Sequence, residues 1–255
     1  MKTKKDFPEG MVPLGKEKFP FHCHPGVACY MTCCKNVDMF LYPYDVLCLK
    51  KSLQISSQQF MEQYARLVKG ATHSYFPSVM LRLIDDETRA CPFLQEDGCG
   101  VYPDRPSACR MYPLERAVDR SPEKGTASDF YFMTDHSYCL GHQEEKIFTV
   151  KKWIRDQRLD DYNLMDDLWA EVDTVFSGNP WAGEGSGGPK QQMAFTACYD
   201  IDNFRLMVVK HSLLDRFAIS RDQKRRIKES DIELLKFAFE WLKYFLGAPS
   251  SLIVK

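Results

Sequence analysis

The residues of this chain whose types and spacing could do chemistry are its cysteines, ten in all, eight of them in two groups. The first group, Cys23, Cys29, Cys33 and Cys34, lies in Phe21-His-Cys-His-Pro-Gly-Val-Ala-Cys-Tyr-Met-Thr-Cys-Cys34. The second, Cys91, Cys99 and Cys109, lies in CPFLQEDGCGVYPDRPSACRMYP, and Cys139 follows in YCLGH. Thiolates at short spacing are ready ligands, because closing a small loop costs little entropy. Zinc takes four such ligands in a tetrahedron, and iron–sulfur clusters as a rule take four cysteines. Eight thiols allow two complete sites of either kind, or one site and four thiols with other duties. The vicinal pair Cys33-Cys34 is awkward for chelating one ion. It is easier if the two thiols bind different metal ions, or different irons of one cluster. The spacings (x5, x3 and x0, then x7 and x9) include no paired C-x2-C knuckle, which favours iron slightly over zinc.

Disulfides and unliganded thiols are the alternatives. The start, MKTKKDFPEGMVPLG, is basic but is not followed by the apolar stretch of a signal peptide. No run of about 18 apolar residues predicts a membrane span. The expectation is a cytoplasmic protein, and in a reducing compartment clustered thiols are ligands or redox groups more often than cross-links. With 255 residues, 44% of them apolar, the chain is long enough for a sizeable core. The net charge of -1 points to neither nucleic acid nor an anionic membrane as a partner. The partner expected is a metal ion or cluster, beside a protein partner the sequence does not define.

Other residues stand beside the thiols. His22, His24 and His142 flank them and either ligate or supply N–H bonds. Arg105 and Arg110 bracket Cys109, and two readings are open: a surface salt bridge, or guanidinium donors that offset thiolate charge. Asp45 reads as a partner of a helix dipole rather than a catalyst. Cys48 and Cys198 fall among apolar neighbours in helical patterns and read as small buried hydrophobes.

The elements that position these groups divide the chain into three parts. Residues 1–20 read as an extended lead-in with Pro8, Gly10, Pro13 and Gly15. Residues 21–141 form the cysteine module, and residues 142–255 a helical lobe. Within the module a helix starts at about Leu41, with Pro43 in its first turn. Ser56 and Gln59 form a capping box for a second helix, running through Val68 and ended by Gly70. A strand is predicted over 78–84, a short returning strand over 98–102, a surface loop over 117–128 and a strand over 129–134. In the helical lobe, helices are predicted over 143–158, over 160–176 with Leu164, Leu168, Val172 and Val175 inward, and over 202–217 with Phe204, Met207, Val208 and Leu214 inward. Gly183–Pro189 reads as a flexible loop. The last helix opens with the capping box Ser230-Asp-Ile-Glu233 and ends at Gly247. Its Phe237, Phe239, Trp241, Tyr244 and Phe245 are core residues. The fold class expected is mostly α with a small irregular and β cysteine-rich metal-binding module, in a single globular body with two lobes.

CHPGVACYMTCC, FLYPYDVLCLK, CPFLQEDGCGVYPDRPSACRMYP and CLG together resemble the YkgJ-type cysteine-cluster family, mainly bacterial proteins described as zinc- or iron-chelating. The family's opening is CxxCxxCC-like; here the first two cysteines are farther apart. The resemblance covers about residues 21–141. It implies ligand roles for Cys23, Cys29, Cys33, Cys34, Cys91, Cys99, Cys109 and Cys139. One branch resembles the flagellin lysine N-methylases, so the resemblance also implies, as an alternative, a protein-lysine methyltransferase using S-adenosylmethionine. The chain carries no strand–GxGxG–helix signature for that cofactor and no CxxxCxxC of radical-type enzymes. A third class, thiol redox chemistry, lacks an isolated CxxC.

Overall fold

The computed structural model describes residues 7, 12–71, 73–120 and 128–255. Among them are nine helices: α1 (Pro43–Leu53), α2 (Ser57–Tyr64), α3 (Ser107–Met111), α4 (Val150–Asp156), α5 (Leu159–Ser177), α6 (Pro189–Tyr199), α7 (Ile201–Lys210), α8 (Arg221–Glu229) and α9 (Asp231–Phe245). The strands are short: β1 (Lys18–Pro20), β2 (Phe40–Leu41), β3 (Ala65–Val68), β4 (Ser78–Leu81), β5 (Leu94–Gln95), β6 (Gly98–Cys99), β7 (Leu114–Asp119), β8 (Ser128–Met133) and β9 (Ile147–Thr149). They form small antiparallel sheets, β1–β9, β2–β4–β3, β5–β6 and β7–β8. The fold is therefore mostly helical with small sheets. No helix of the described residues is long and apolar enough to cross a membrane.

The main core is built by α1, α5, α6, α7 and α9. Phe60, Phe176, Phe204, Phe217 and Phe239 are buried in it, each ring contributing about 2–3 kcal/mol through area removed from water. α9 is buried on more than one side, through Leu234, Leu235, Phe237, Ala238, Phe239, Trp241 and Leu242. Its end is a Schellman turn. Gly247, at φ +75°, bonds back to Tyr244, and Ala248 bonds back to Lys243. A second, smaller core gathers Phe19, Phe21, Leu114, Tyr131, Phe148, Trp153 and Leu159 where β1, β7, β8, β9 and α4 meet.

Several local expectations are corrected by tertiary partners. α2 has its full capping box at Ser56 and Gln59 but stops at Tyr64, not Val68. Arg82 caps it there, its guanidinium donating to the carbonyls of Glu62 and Ala65 and its backbone N–H to Tyr64. Residues 65–68 instead become β3, because β4 offers them a complete ladder. The predicted strand 78–84 is shorter, ending at Leu81, and residues 98–99 pair with 94–95 in a tight hairpin. Within the predicted helix 143–158, residues 147–149 are β9, paired with β1; α4 begins only at Val150, capped by Thr149. Residues 117–119, predicted as loop, belong to β7, and residues 121–127 lie outside those described.

The inward face of α5 is Tyr162, Met165, Trp169, Val172 and Phe176, while Leu164 faces solvent. The large aromatic residues win the buried stripe. In 202–217 the helix ends at Lys210, and Leu214 is buried on a separate 3-10 turn. Tyr244 is exposed, touching Phe217 edge-on. The capping box of α9 is half formed, because the Ser230 N–H is already bonded to Arg226 of α8 and Glu233 turns to Lys236. Residues 12–20, read as a lead-in, include the paired strand β1; the residues before them are described only at Phe7, which packs edge-on against Phe130 and Phe132.

Candidate metal centre

The first cysteine loop is anchored at its start. Beyond β1, Phe21 N–H bonds to the carbonyl of Lys146 at 2.9 Å and His22 N–H to that of Gly141 at 3.0 Å. A side chain at Gly141 would meet the Phe21 ring at 3.0 Å and the His22 carbonyl at 3.2 Å, so the close approach of the two segments needs glycine. This docking carries Cys139 to the first loop, where the N–H of Leu140 points at Cys29 Sγ at 3.1 Å. The loop then winds through successive tight turns, with Met31 left-handed at φ 66° and a 3-10 turn over Thr32–Cys34.

The exit of that loop is stitched to the second cysteine group. Lys35 bridges Ala90, Asn36 N–H bonds to Arg89 at 2.9 Å, and Cys91 N–H bonds to the Cys34 carbonyl at 2.8 Å. The β5–β6 hairpin turns Cys99 back beside Cys91. Tyr30 reaches the hairpin, its hydroxyl lying where a Cβ of Gly98 would come within 2.8 Å, and Gly98 holds φ +148°. Cys109 rides on α3. That short helix is fixed by Asp45, at the start of α1, which is buried. Asp45 accepts from Tyr42 N–H at 2.9 Å on one side and from Ser107 N–H at 2.7 Å on the other. One carboxylate thus joins two helix N-termini, the position where negative charge is favoured. Burial nevertheless pushes Asp45 up to about 6.

Electrostatics shows how near the thiols are. Cys33 interacts with Cys23, Cys34, Cys91 and Cys109; Cys23 also with Cys29 and Cys139; Cys99 with Cys91 and Cys109. The two groups therefore lie within electrostatic reach of each other. Burial, then the neighbouring Cys33, Cys29 and Cys139, push Cys23 up to about 11. Burial and Cys91 likewise raise Cys109, which still reaches solvent. Within the vicinal pair the Cys34 thiol lowers Cys33 to about 7, while Cys33 and burial raise Cys34. Like charges crowd each other here, and a bound cation reverses that repulsion. Among the described residues no three of these sulfurs lie within 4.8 Å of one another. That is wider than the spacing of about 3.8 Å that Zn–S bonds near 2.3 Å impose around one tetrahedral ion.

All ten cysteines are unbridged. None of the eight grouped thiols is fully buried, whereas Cys48 and Cys198 are. Cys48 meets the hydroxyls of Tyr44 and Tyr162 inside the main core. Arg105 and Arg110 correct the surface salt-bridge reading, for both are buried and donate to neutral oxygens. Arg105 bonds to the Tyr102 carbonyl at 2.7 Å and to the Gln157 side chain. Arg110 bonds to the carbonyls of Arg105, Gln157 and Pro103. The charge of Arg105 acts on the thiols from a distance and opposes the rise of Cys23. His142 stands against Phe21 and Tyr112, with its Nε2 at 3.2 Å from the Tyr112 hydroxyl. His22 and His24 lie close together, and His24 Nε2 is 3.0 Å from Glu144.

Sequence reasoning missed Glu144, Met39 and Tyr112. Glu144 sat in a segment read as the start of a helix. Met39 places its sulfur 3.9 Å from Cys109, and Tyr112 bonds Cys139. Only the alternation of Ile147-Phe148-Thr149 hinted that Glu144 precedes a strand.

Eight unbridged thiols on loops braced by backbone hydrogen bonds, beside a helical body, define a cysteine-rich domain. Residues 22–140 match the family described as CxxCxxCC, putative zinc- or iron-chelating domain, and the YkgJ-type resemblance read from the motifs is this family. The matched segment contains all eight grouped thiols. No curated protein and no solved structure matches the chain.

Proposed function

We propose that Cys23, Cys29, Cys33, Cys34, Cys91, Cys99, Cys109 and Cys139 chelate metal as a polynuclear thiolate centre, with iron in an iron–sulfur cluster ahead of zinc. The observation that carries this reading is the set of eight unbridged, solvent-reaching thiols, among which Cys23, Cys34, Cys91 and Cys109 are raised by burial and by neighbouring thiols, a crowding that a cation relieves. Soft thiolate donors suit zinc and iron–sulfur centres equally. The sulfur spacing and the vicinal pair favour more than one metal atom. The Leu140 N–H on Cys29 is the kind of contact that tunes an iron–sulfur centre. Such a centre would cross-link the loops and, as iron, exchange electrons.

Elemental and acid-labile sulfide analysis of anaerobically purified protein tests this, with the visible spectrum. Iron, sulfide and a brown colour are expected. Colourless protein with stoichiometric zinc moves the assignment to zinc, and protein without either metal overturns it. Cys33→Ser and Cys34→Ser lower metal content and melting temperature together, because binding and folding are coupled. Cys48→Ala and Cys198→Ala leave the metal in place.

A further inference from the structure

Beside its thiols the first loop carries a different set of donors. His22 and His24 are two apart as the chain leaves β1, and the ring centroids are 4.5 Å apart. Cys23, between them, engages Cys33, Cys29 and Cys139. Neighbouring side chains of an extended segment alternate in direction, so one tripeptide presents a thiol one way and two imidazoles the other. Glu144 comes from the segment that β1–β9 pairing lays alongside. Its register is fixed by the bonds His22 N–H to Gly141 and Phe21 N–H to Lys146, one on each side of it. The ligand atoms of His22, His24 and Glu144 lie within 4.8 Å of one another, and all three residues are half-buried.

We infer that His22, His24 and Glu144 bind a divalent first-row transition-metal ion at a site separate from the thiol centre. Two imidazoles and a carboxylate are a ligand set of zinc and iron(II) sites with open coordination positions. Bonds of about 2.0–2.1 Å around a tetrahedral ion put its ligands about 3.3 Å apart. His24 Nε2 and Glu144 Oε2, at 3.0 Å, are already at that separation. Ligation through His24 Nε2 leaves the ring proton on Nδ1 and releases the 3.2 Å contact that Gly26 N–H makes there. A small rotation of the ring accomplishes this, since His24 is partly exposed. The rest of the site is braced: Phe21 is buried and Gly141 packs against it. Three protein ligands leave at least one position open, so this ion exchanges with solvent donors, unlike one enclosed by four thiolates.

Cobalt(II) titration of the whole protein as isolated, followed by equilibrium dialysis and visible spectroscopy, tests the site. Bound cobalt at His22, His24 and Glu144 lacks the sulfur-to-metal charge-transfer band that thiolate ligation gives. One such equivalent is expected in the parent. Glu144→Gln, close to isosteric and still able to bond His24, weakens that equivalent by more than about tenfold, as does His24→Ala; loss of even a supporting residue costs a metal site that much. Melting temperature and thiol-bound metal stay at parental values in Glu144→Gln. Absence of a charge-transfer-free equivalent in the parent overturns the inference, and so does its undiminished retention in both variants. The site does not depend on the thiol centre. A chain with no metal on its cysteines that still lost this equivalent in Glu144→Gln would refute the proposed function and leave the second site standing.

Discussion

Cys198 and Cys109 are chemically identical side chains in opposite surroundings. Cys198 lies in α6, sealed among Ala194, Ala197 and the rings of the main core. Cys109 lies on five-residue α3, open to solvent, beside a methionine sulfur and within the field of three other thiols. The helical core is held by area removed from water, which is non-directional and spread over many rings. The thiol loops bury few apolar side chains, chiefly Phe21, Val27, Ala90, Phe93 and Val101. They are held by single backbone bonds between distant segments, such as Cys91 to Cys34 and Leu140 to Cys29. One region rests on many apolar contacts at once. The other depends on named bonds and, on our proposal, on metal.

The largest effect should come from the region that holds most of the apolar burial. Phe204→Ala empties a fully buried ring position and costs about 3–5 kcal/mol in thermal or denaturant unfolding. Metal content per folded molecule should not change. A proportional loss of metal would show that the two regions are one energetic unit and break the contrast.

The joint between them gives an intermediate effect. Asp45→Ala leaves the N–H groups of Tyr42 and Ser107 unpaired and costs about 2–4 kcal/mol. Because Ser107 is two residues from Cys109, metal content should fall as well. Unchanged metal content would mean that α3 holds Cys109 without help from α1.

The third effect has a sign set by pH. Burial, with Asp45 adding to it, pushes Asp166 up to about 8, and Asp166 Oδ1 has no hydrogen-bond partner. The folded protein therefore holds this proton more tightly than the unfolded chain, whose carboxyl titrates near the ordinary value. Stability is lost as pH rises from that value to about 8. Asp166→Asn should leave stability unchanged at pH 3 and raise it progressively as pH climbs toward 9. A flat difference between the two melting curves across that range would overturn the assignment.

Local signals were the legible part of this fold. Proline at the first position of α1, the capping box of α2, the strand β8 and the helices α5 and α9 follow from residues a few positions apart, and the structure contains them. The two cysteine groups were visible for the same reason. What sequence patterns did not carry was pairing between distant short strands. β3 and β9 are four and three residues long, and nothing in Ala65–Val68 itself outweighs helix propensity until β4 lies beside it. α6 was missed because its stripe is weak and it follows a glycine run. Burial of Arg105 and Arg110 was invisible too, since guanidinium groups satisfied by carbonyls leave no complementary carboxylate to read in the chain.

β1 and β9 pair residues 18–20 with residues 147–149. On a growing polypeptide every one of the eight grouped thiols is therefore synthesised before the partner of β1 exists. Contacts of such long range form late. The clasp between the two strands therefore closes only after every grouped thiol has been made.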